Sequence, residues 1–146
     1  MHNITKATSN DAKQLIHIAK EAFLTAHGHS ASKEDIASYV AANFSEANFT
    51  EELKNRDNHY YIIYYQNKIA GYSKITLNTS NKNIASQNIM FMSRLYLLEE
   101  FYGLNLGKEL FNFNMLIMPV YKSNSFFKVA MYPVLPEIIK SSAIPI

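Results

Sequence analysis

Residues 94–111, RLYLLEEFYGLNLGKELF, constrain this chain more than any other stretch. The apolar run through Leu95, Tyr96 and Leu97 reads as the end of a buried strand. From Leu106 the pattern LGKELFNFNMLIM sets Leu106, Leu110, Phe113 and Leu116 or Ile117 on one side, as a helix requires. Between strand and helix stand Gly103 and Gly107, two of only four glycines in the chain. A helix N-terminus leaves about four amides unpaired and carries roughly half a positive charge. A tight turn out of a strand converges those amides on a point that suits phosphate or pyrophosphate. Glycine lets an anion approach the main chain and permits positive φ. Lys108 adds an ammonium. The same spacing is also that of a plain loop with close helix–sheet packing, so the residues alone leave both readings open.

The rest of the chain frames this unit. NITKA (3–7) alternates as an opening strand, and TSND is a cap in which Thr8 accepts from the Asp11 amide. Ala12, Leu15, Ala19, Ala22 and Phe23, widened by Ile16 and Ile18, predict a helix to about Ala26. It ends at HGHS, where Gly28 is expected to turn left-handed. Ser32 caps a second helix bearing Ile36, Tyr39 and Val40, and EANFTEELKN after Ser45 predicts a third. HYYIIYY (59–65) and IAGYSKITLN (69–78) form a hairpin about QNK, with Gly71 as the expected bulge. NTSNKNIASQN reads as a polar loop, and IMFMSRLYLL (89–98), the most apolar strand, as the central one. Beyond Met118 the pattern offers one strand, 126–132, and no helix of useful length. The fold class is α/β (α+β): a mostly antiparallel central sheet flanked by helices, its C-terminal strands atypical or missing.

Bulk properties narrow the function by exclusion. A length of 146 residues suits one core and falls short of two, so residues 1–146 are expected to be a single domain. A net charge of +2 from scattered Lys and Arg argues against a nucleic-acid or membrane partner. With no cysteine there is no disulfide, thiolate metal site or cysteine nucleophile. MHNITKATSNDAKQ is polar where a signal peptide needs an apolar stretch, and HYYIIYY is too short to span a bilayer, so a cytoplasmic location is expected.

Arg94 to Phe111 resembles motif A of the GCN5-related N-acetyltransferases (GNAT): an apolar-x-apolar strand end, then Gln/Arg-x-x-Gly-x-Gly/Ala, then a helix. Leu95-Tyr96-Leu97 is similar to the strand end, LEEF to the corner, and YGLNLGKEL to the pyrophosphate loop. The opening strand and helix ITKATSNDAKQL, the helical excursion HGHSASKEDIASYV and the hairpin ELKNRDNHYYIIYYQNKIAGYSKI extend the likeness from residue 3 to about 117. In order and spacing the pattern is closest to the PaiA-type polyamine acetyltransferases. The resemblance implies acetyl transfer from acetyl-CoA to a primary amine of a small molecule such as a polyamine, with no metal. It implies that Leu95, Tyr96 and Leu97 meet the pantetheine arm. Tyr102, Gly103, Leu104, Asn105, Leu106, Gly107 and Lys108 would hold the phosphates through their backbone.

The chain departs from that pattern in three places. Tyr102 stands where Gln or Arg is usual, and Asn105 where the first motif glycine is usual. Asparagine tolerates left-handed geometry, so the turn is expected to survive. After Met118 the family's Asn-containing segment, Phe-Tyr pair and Gly-Phe are not recognisable in residues 118–146. This motivates an alternative: a truncated or diverged GNAT-like protein, completed by strand exchange in a homodimer, that binds CoA weakly or serves as an interaction module.

The reaction needs a base for the amine and an acid for the leaving thiolate. Ser93 falls where many relatives carry a glutamate, and serine needs a water relay or another residue to do that work. His27 and His29 fall in the loop that in this family borders the acceptor cleft. His27 and Tyr39 are the expected acceptor-side residues. Tyr60 and Tyr72 either offer aromatic faces to an amine or fill the core. Tyr132 is the candidate acid. Asp35, Glu46, Glu51 and Glu52 suit a cationic amine or simply form a solvated helix face.

Overall fold

In the computed structural model the described residues are 1–81, 84–117 and 128–131. Strand β1 (His2–Lys6) leads through a short 3-10 turn into helix α1 (Ala12–His27), followed by α2 (Lys33–Asn43) and α3 (Glu46–Lys54). Strands β2 (Asn58–Tyr65), β3 (Lys68–Asn81) and β4 (Ile84–Leu97) form a meander, and α4 (Leu106–Ile117) and β5 (Lys128–Met131) complete the order. The sheet runs β1-β2-β3-β4-β5, antiparallel through β4, with β5 parallel to β4. The expected mostly antiparallel sheet is therefore present, and the tail supplies one strand inside the predicted 126–132.

The helices start where the sequence placed their caps. The Ser32 hydroxyl accepts from the Asp35 amide at 3.1 Å, and Ser45 from the Asn48 amide at 3.1 Å. At the first turn Thr8 and Asp11 form the expected capping box: the Asp11 carboxylate accepts from the Thr8 amide at 2.8 Å, and the Thr8 hydroxyl accepts from the Asp11 amide and also from the Asn10 amide at 3.3 Å. Gly28 corrects its expectation. Its φ of −57° continues the right-handed helix, and its N–H reaches the Leu24 carbonyl at 2.8 Å. The β2–β3 hairpin turns on Gln66 and Asn67, both at positive φ (49° and 63°), which matches the twist of the strands it joins. Its bulge falls on Ala70, since Ile63 pairs with Gly71 and Tyr64 with Ile69. Residues 78–81 and 84–88 of the polar stretch expected to be a loop instead extend β3 and β4, because backbone ladder bonds form whatever the side-chain polarity. β4 is interior, but β3 is the middle strand.

Cross-strand partners share a face, so the register sorts the sheet. Tyr60, Ile62, Tyr72, Lys74, Arg94 and Tyr96 lie on one face. Ring contacts of Tyr60 with Phe49 and of Tyr96 with His27 identify it as the side covered by α1–α3. Tyr61, Ser73, Leu95 and Leu97 lie on the other, under α4, where Tyr61 meets Phe113 and Ser73 meets Asn114. The core between sheet and helices is built on Leu15, Phe23, Phe44, Phe49, Ile62 and Tyr72, each buried. On α4 the buried face is Leu106, Leu110 and Asn114, with Phe113 and Ile117 half-buried and Leu116 exposed.

Candidate active site

Two features of β4 shape the site. Lys74 pairs with Arg94 and Ile75 with Met92, which leaves Ser93 as an extra residue, a β-bulge. The pairing with β5 runs only from Ile89 to Met92. From Ser93 to Leu97, therefore, one edge of β4 has no strand beside it among the described residues. The Ser93 hydroxyl is buried without a hydrogen-bond partner among the described residues.

That free edge runs directly into the glycine loop. The Leu98 amide is pinned to the Ala70 carbonyl at 2.8 Å, and buried Phe101 anchors the short 3-10 turn that follows. The chain then reverses through Gly103 at φ 79° and Asn105 at φ 63°. Asparagine thus carries the left-handed position, as expected of it. Tyr102 and Leu104 are exposed, and the first helical amide to find a carbonyl is that of Glu109, on Asn105 at 3.1 Å. The amides before it are the orphan donors of a twelve-residue helix. A Cβ on Gly107 would meet Leu97 Cδ1 at 3.5 Å and Leu95 Cδ2 at 4.0 Å, ordinary contact. The loop therefore touches the end of β4, and the protein's own packing does not demand glycine there.

Across the sheet, a closed circuit of rings passes from His27 through Phe23, Phe44, Phe49, Tyr60, Tyr72 and Tyr96 back to His27, with neighbouring centroids 5.0–6.2 Å apart. Tyr39 adds a face to Phe23 and Phe44. His27 belongs to α1, not to the following loop. It is four residues from Phe23 on the buried stripe, a spacing the sequence displays. Its Nε2 lies 3.1 Å from the Tyr96 hydroxyl, and its Nδ1 is buried without a partner. Burial lowers the His27 pKa below 6.5 and pushes that of Tyr96 up to about 12. His29, by contrast, is exposed, and no group of three metal-ligating side chains occurs among the described residues.

Sequence reasoning missed the polar cluster beside this circuit. Arg94 lies over the faces of Phe44 and Phe49, at 5.1 Å and 5.5 Å, and its Nη1 donates to the Tyr60 hydroxyl at 3.0 Å. Tyr60 in turn donates to Glu52, whose Oε2 is 3.1 Å from Lys74 Nζ and 3.6 Å from Arg94 Nη1. Glu52 is thus engaged beneath α3, whereas Glu46 and Glu51 form the solvated face expected of all these acids. Tyr60 and Tyr72 are buried rather than presenting hydroxyls to water, and desolvation raises both pKa values. The structure brings Leu95, Leu97 and Gly107 together, and sets Tyr96 with Tyr39 and His27 on the opposite face around the ring circuit. Tyr132 lies outside the described residues.

The sequence profile of the acetyltransferase (GNAT) family matches residues 13–113. This chain belongs to the GNAT family. Among curated proteins it is 26% identical over 110 residues to the uncharacterized N-acetyltransferase in the pepI 3′ region of Lactobacillus delbrueckii subsp. lactis. That match covers 75% of this chain and 64% of the relative's length. Among solved structures, the PaiA N-acetyltransferase from Thermoplasma acidophilum in complex with coenzyme A superposes with a TM-score of 0.69 at 22% identity, over 83% of this chain and 74% of that one. The aminoglycoside N-acetyltransferase AAC(6′)-Iy in complex with CoA gives 0.64 at 11% identity, over 97% and 82%. At these identities the likeness establishes the fold. No helix among the described residues is long and apolar enough to cross a membrane.

Proposed function

We propose that this protein is an N-acetyltransferase that moves the acetyl group of acetyl-CoA to a primary amine of a small molecule. Polyamines, the class suggested by the PaiA-type pattern, are the first acceptors to assay. The observation that carries the reading is the edge of β4 from Ser93 to Leu97, which no described strand pairs, running into the left-handed turn before α4. A strand edge offers a row of unpaired amides and carbonyls, and in this reading Leu95 and Leu97 pair with a pantetheine arm. The loop from Tyr102 to Lys108 offers orphan amides to a pyrophosphate.

In the reaction the amine nitrogen attacks the thioester carbonyl, a C–N bond forms, the C–S bond breaks and the departing thiolate takes up a proton. The amine's own proton has a route on the helical face, from the Tyr96 hydroxyl to His27 Nε2 at 3.1 Å. Burial favours neutral His27, the form able to accept it. The buried Ser93 hydroxyl at the bulge can hold a relaying water.

The test is calorimetric titration of acetyl-CoA into the protein and into Leu104→Glu. Leu104 is exposed, so the variant adds charge to the loop without entering the core. A unit charge about 8 Å from a phosphate, at an effective dielectric of about 20, opposes binding by roughly 2 kcal/mol. The variant should therefore bind at least about tenfold more weakly. A folded native protein that evolves no heat with acetyl-CoA sinks the proposal.

A further inference from the structure

Lys74 and Arg94 are direct partners across the β3–β4 pair, on the helical face of the sheet. Among the described residues one carboxylate, Glu52, forms ion pairs with both. Two cations and one anion leave a surplus of one positive charge. It is held where water is scarce, since the side chains of Arg94, Lys74 and Glu52 are 9%, 14% and 25% exposed. A charge in that position needs a partner. The faces of Phe44 and Phe49 supply part of one to Arg94. The Tyr72 hydroxyl, fully buried and within reach of the Arg94 charge, has no hydrogen-bond partner among the described residues.

The cluster adjoins the stretch of β4 proposed above for the pantetheine arm. Arg94 directly follows Ser93, where the bulge lies and the β5 pairing stops. Lys74 and Glu52 keep the cluster in touch with solvent. A polyamine would bring further positive charge to this surplus.

We propose that Arg94, Lys74 and the Tyr72 hydroxyl form a subsite for a carboxylate on the acceptor, so that the amine acetylated belongs to an amino acid. This narrows the acceptor class and rests on the acetyl-transfer reading. One surplus charge matches one carboxylate, whereas a phosphate monoester, at roughly −1.5 to −2, would over-neutralise it. A single carboxylate also leaves the acceptor's amine free for acetylation.

The experiment compares each of glycine, β-alanine and 4-aminobutyrate with its own carboxamide, and with 1,4-diaminobutane, as acceptors. The same compounds are titrated calorimetrically without acetyl-CoA, so the preference stays readable if transfer fails. At least one acid should be preferred to its amide by about tenfold or more, the discrimination expected of a charge-assisted contact. Lys74→Gln should abolish that preference, and Glu52→Gln, which removes the competing carboxylate, should enlarge it severalfold. A merely structural network would make both variants weaken binding together. Equal use and binding within every acid–amide pair, a preference for the diamine, or loss of preference in Glu52→Gln overturns the subsite. Absent transfer with the binding preference intact overturns only the acetylation reading.

Discussion

Gly107→Ala separates a glycine kept for packing from a glycine kept for a ligand. In the unliganded protein the new methyl group finds its nearest atom, Leu97 Cδ1, at 3.5 Å, so nothing must move to admit it. Gly107 is the second residue of α4, and alanine is favoured over glycine in helices by up to about 1 kcal/mol, less in a first turn. The substitution should therefore stabilise the fold by about 0.5 kcal/mol, or about 1–2 °C in Tm for a chain of this size. Binding should move the other way. The methyl group projects toward Leu95 and Leu97, where the pantetheine arm is proposed to lie, beside the amides proposed for the pyrophosphate. Losing one charge-assisted amide contact costs about 1.5–3 kcal/mol, or roughly 10- to 150-fold in Kd. Thermal unfolding and calorimetry on one preparation measure both quantities. A raised Tm with an unchanged Kd for acetyl-CoA would refute the ligand argument and leave Gly107 as inherited loop architecture.

Two further expectations concern the frame and the histidine. At Gly71 an added Cβ would lie 2.2 Å from the Tyr96 carbonyl oxygen and 2.7 Å from Leu97 Cδ2. Gly71→Ala must then push β3 from β4, at about 3 kcal/mol, and lower Tm by about 6–12 °C; a shift under about 1 °C would show the strands part freely. The second is a pH dependence. Burial lowers the His27 pKa from its ordinary 6.5, so below pH 6.5 the unfolded chain takes up the proton more readily than the folded one. Stability from this group is present above pH 6.5, declines as pH falls and levels off below the folded pKa. The slope reaches at most about 1.4 kcal/mol per pH unit. Denaturant unfolding between pH 5 and 8 should show a shallower acid loss in His27→Gln, and identical slopes would mean that His27 stays solvated.

The local signals were legible because each is written in a few adjacent residues. Ser32 and Ser45 announce their helices by hydroxyls that need only a neighbouring amide, and QNK declares the hairpin turn by two residues that accept positive φ. The loop was legible for the same reason, down to Asn105 in a left-handed conformation. The bulge at Ser93 was not. It is a property of the pairing between β3 and β4, and IMFMSRLYLL by itself reads as an unbroken run. The Glu52–Lys74–Arg94 cluster was hidden because its members come from α3, β3 and β4 and each looks like an ordinary surface charge in isolation. Asn114 escaped because its place in the core depends on Ser73, 41 positions earlier, whose hydroxyl it meets at 2.8 Å. His27 could have been found, since it continues the Phe23 stripe by one helical turn.

The bulge has a consequence for how such a strand can evolve. By pairing with Ile75, Met92 lies on the α4 face, and Arg94, by pairing with Lys74, lies on the other, although they are two residues apart. Alternation is thus reset at Ser93, and from Ile89 to Leu97 β4 consists of two half-strands that obey opposite phase rules. The first half, Ile89 to Met92, is clamped between β3 and β5 and answers to the scaffold. Among the described strands, the second, Arg94 to Leu97, is paired with β3 alone. Substitutions there can retune what the helical face receives while the first half keeps its register, so acceptor preference can drift along a lineage without the sheet being rebuilt.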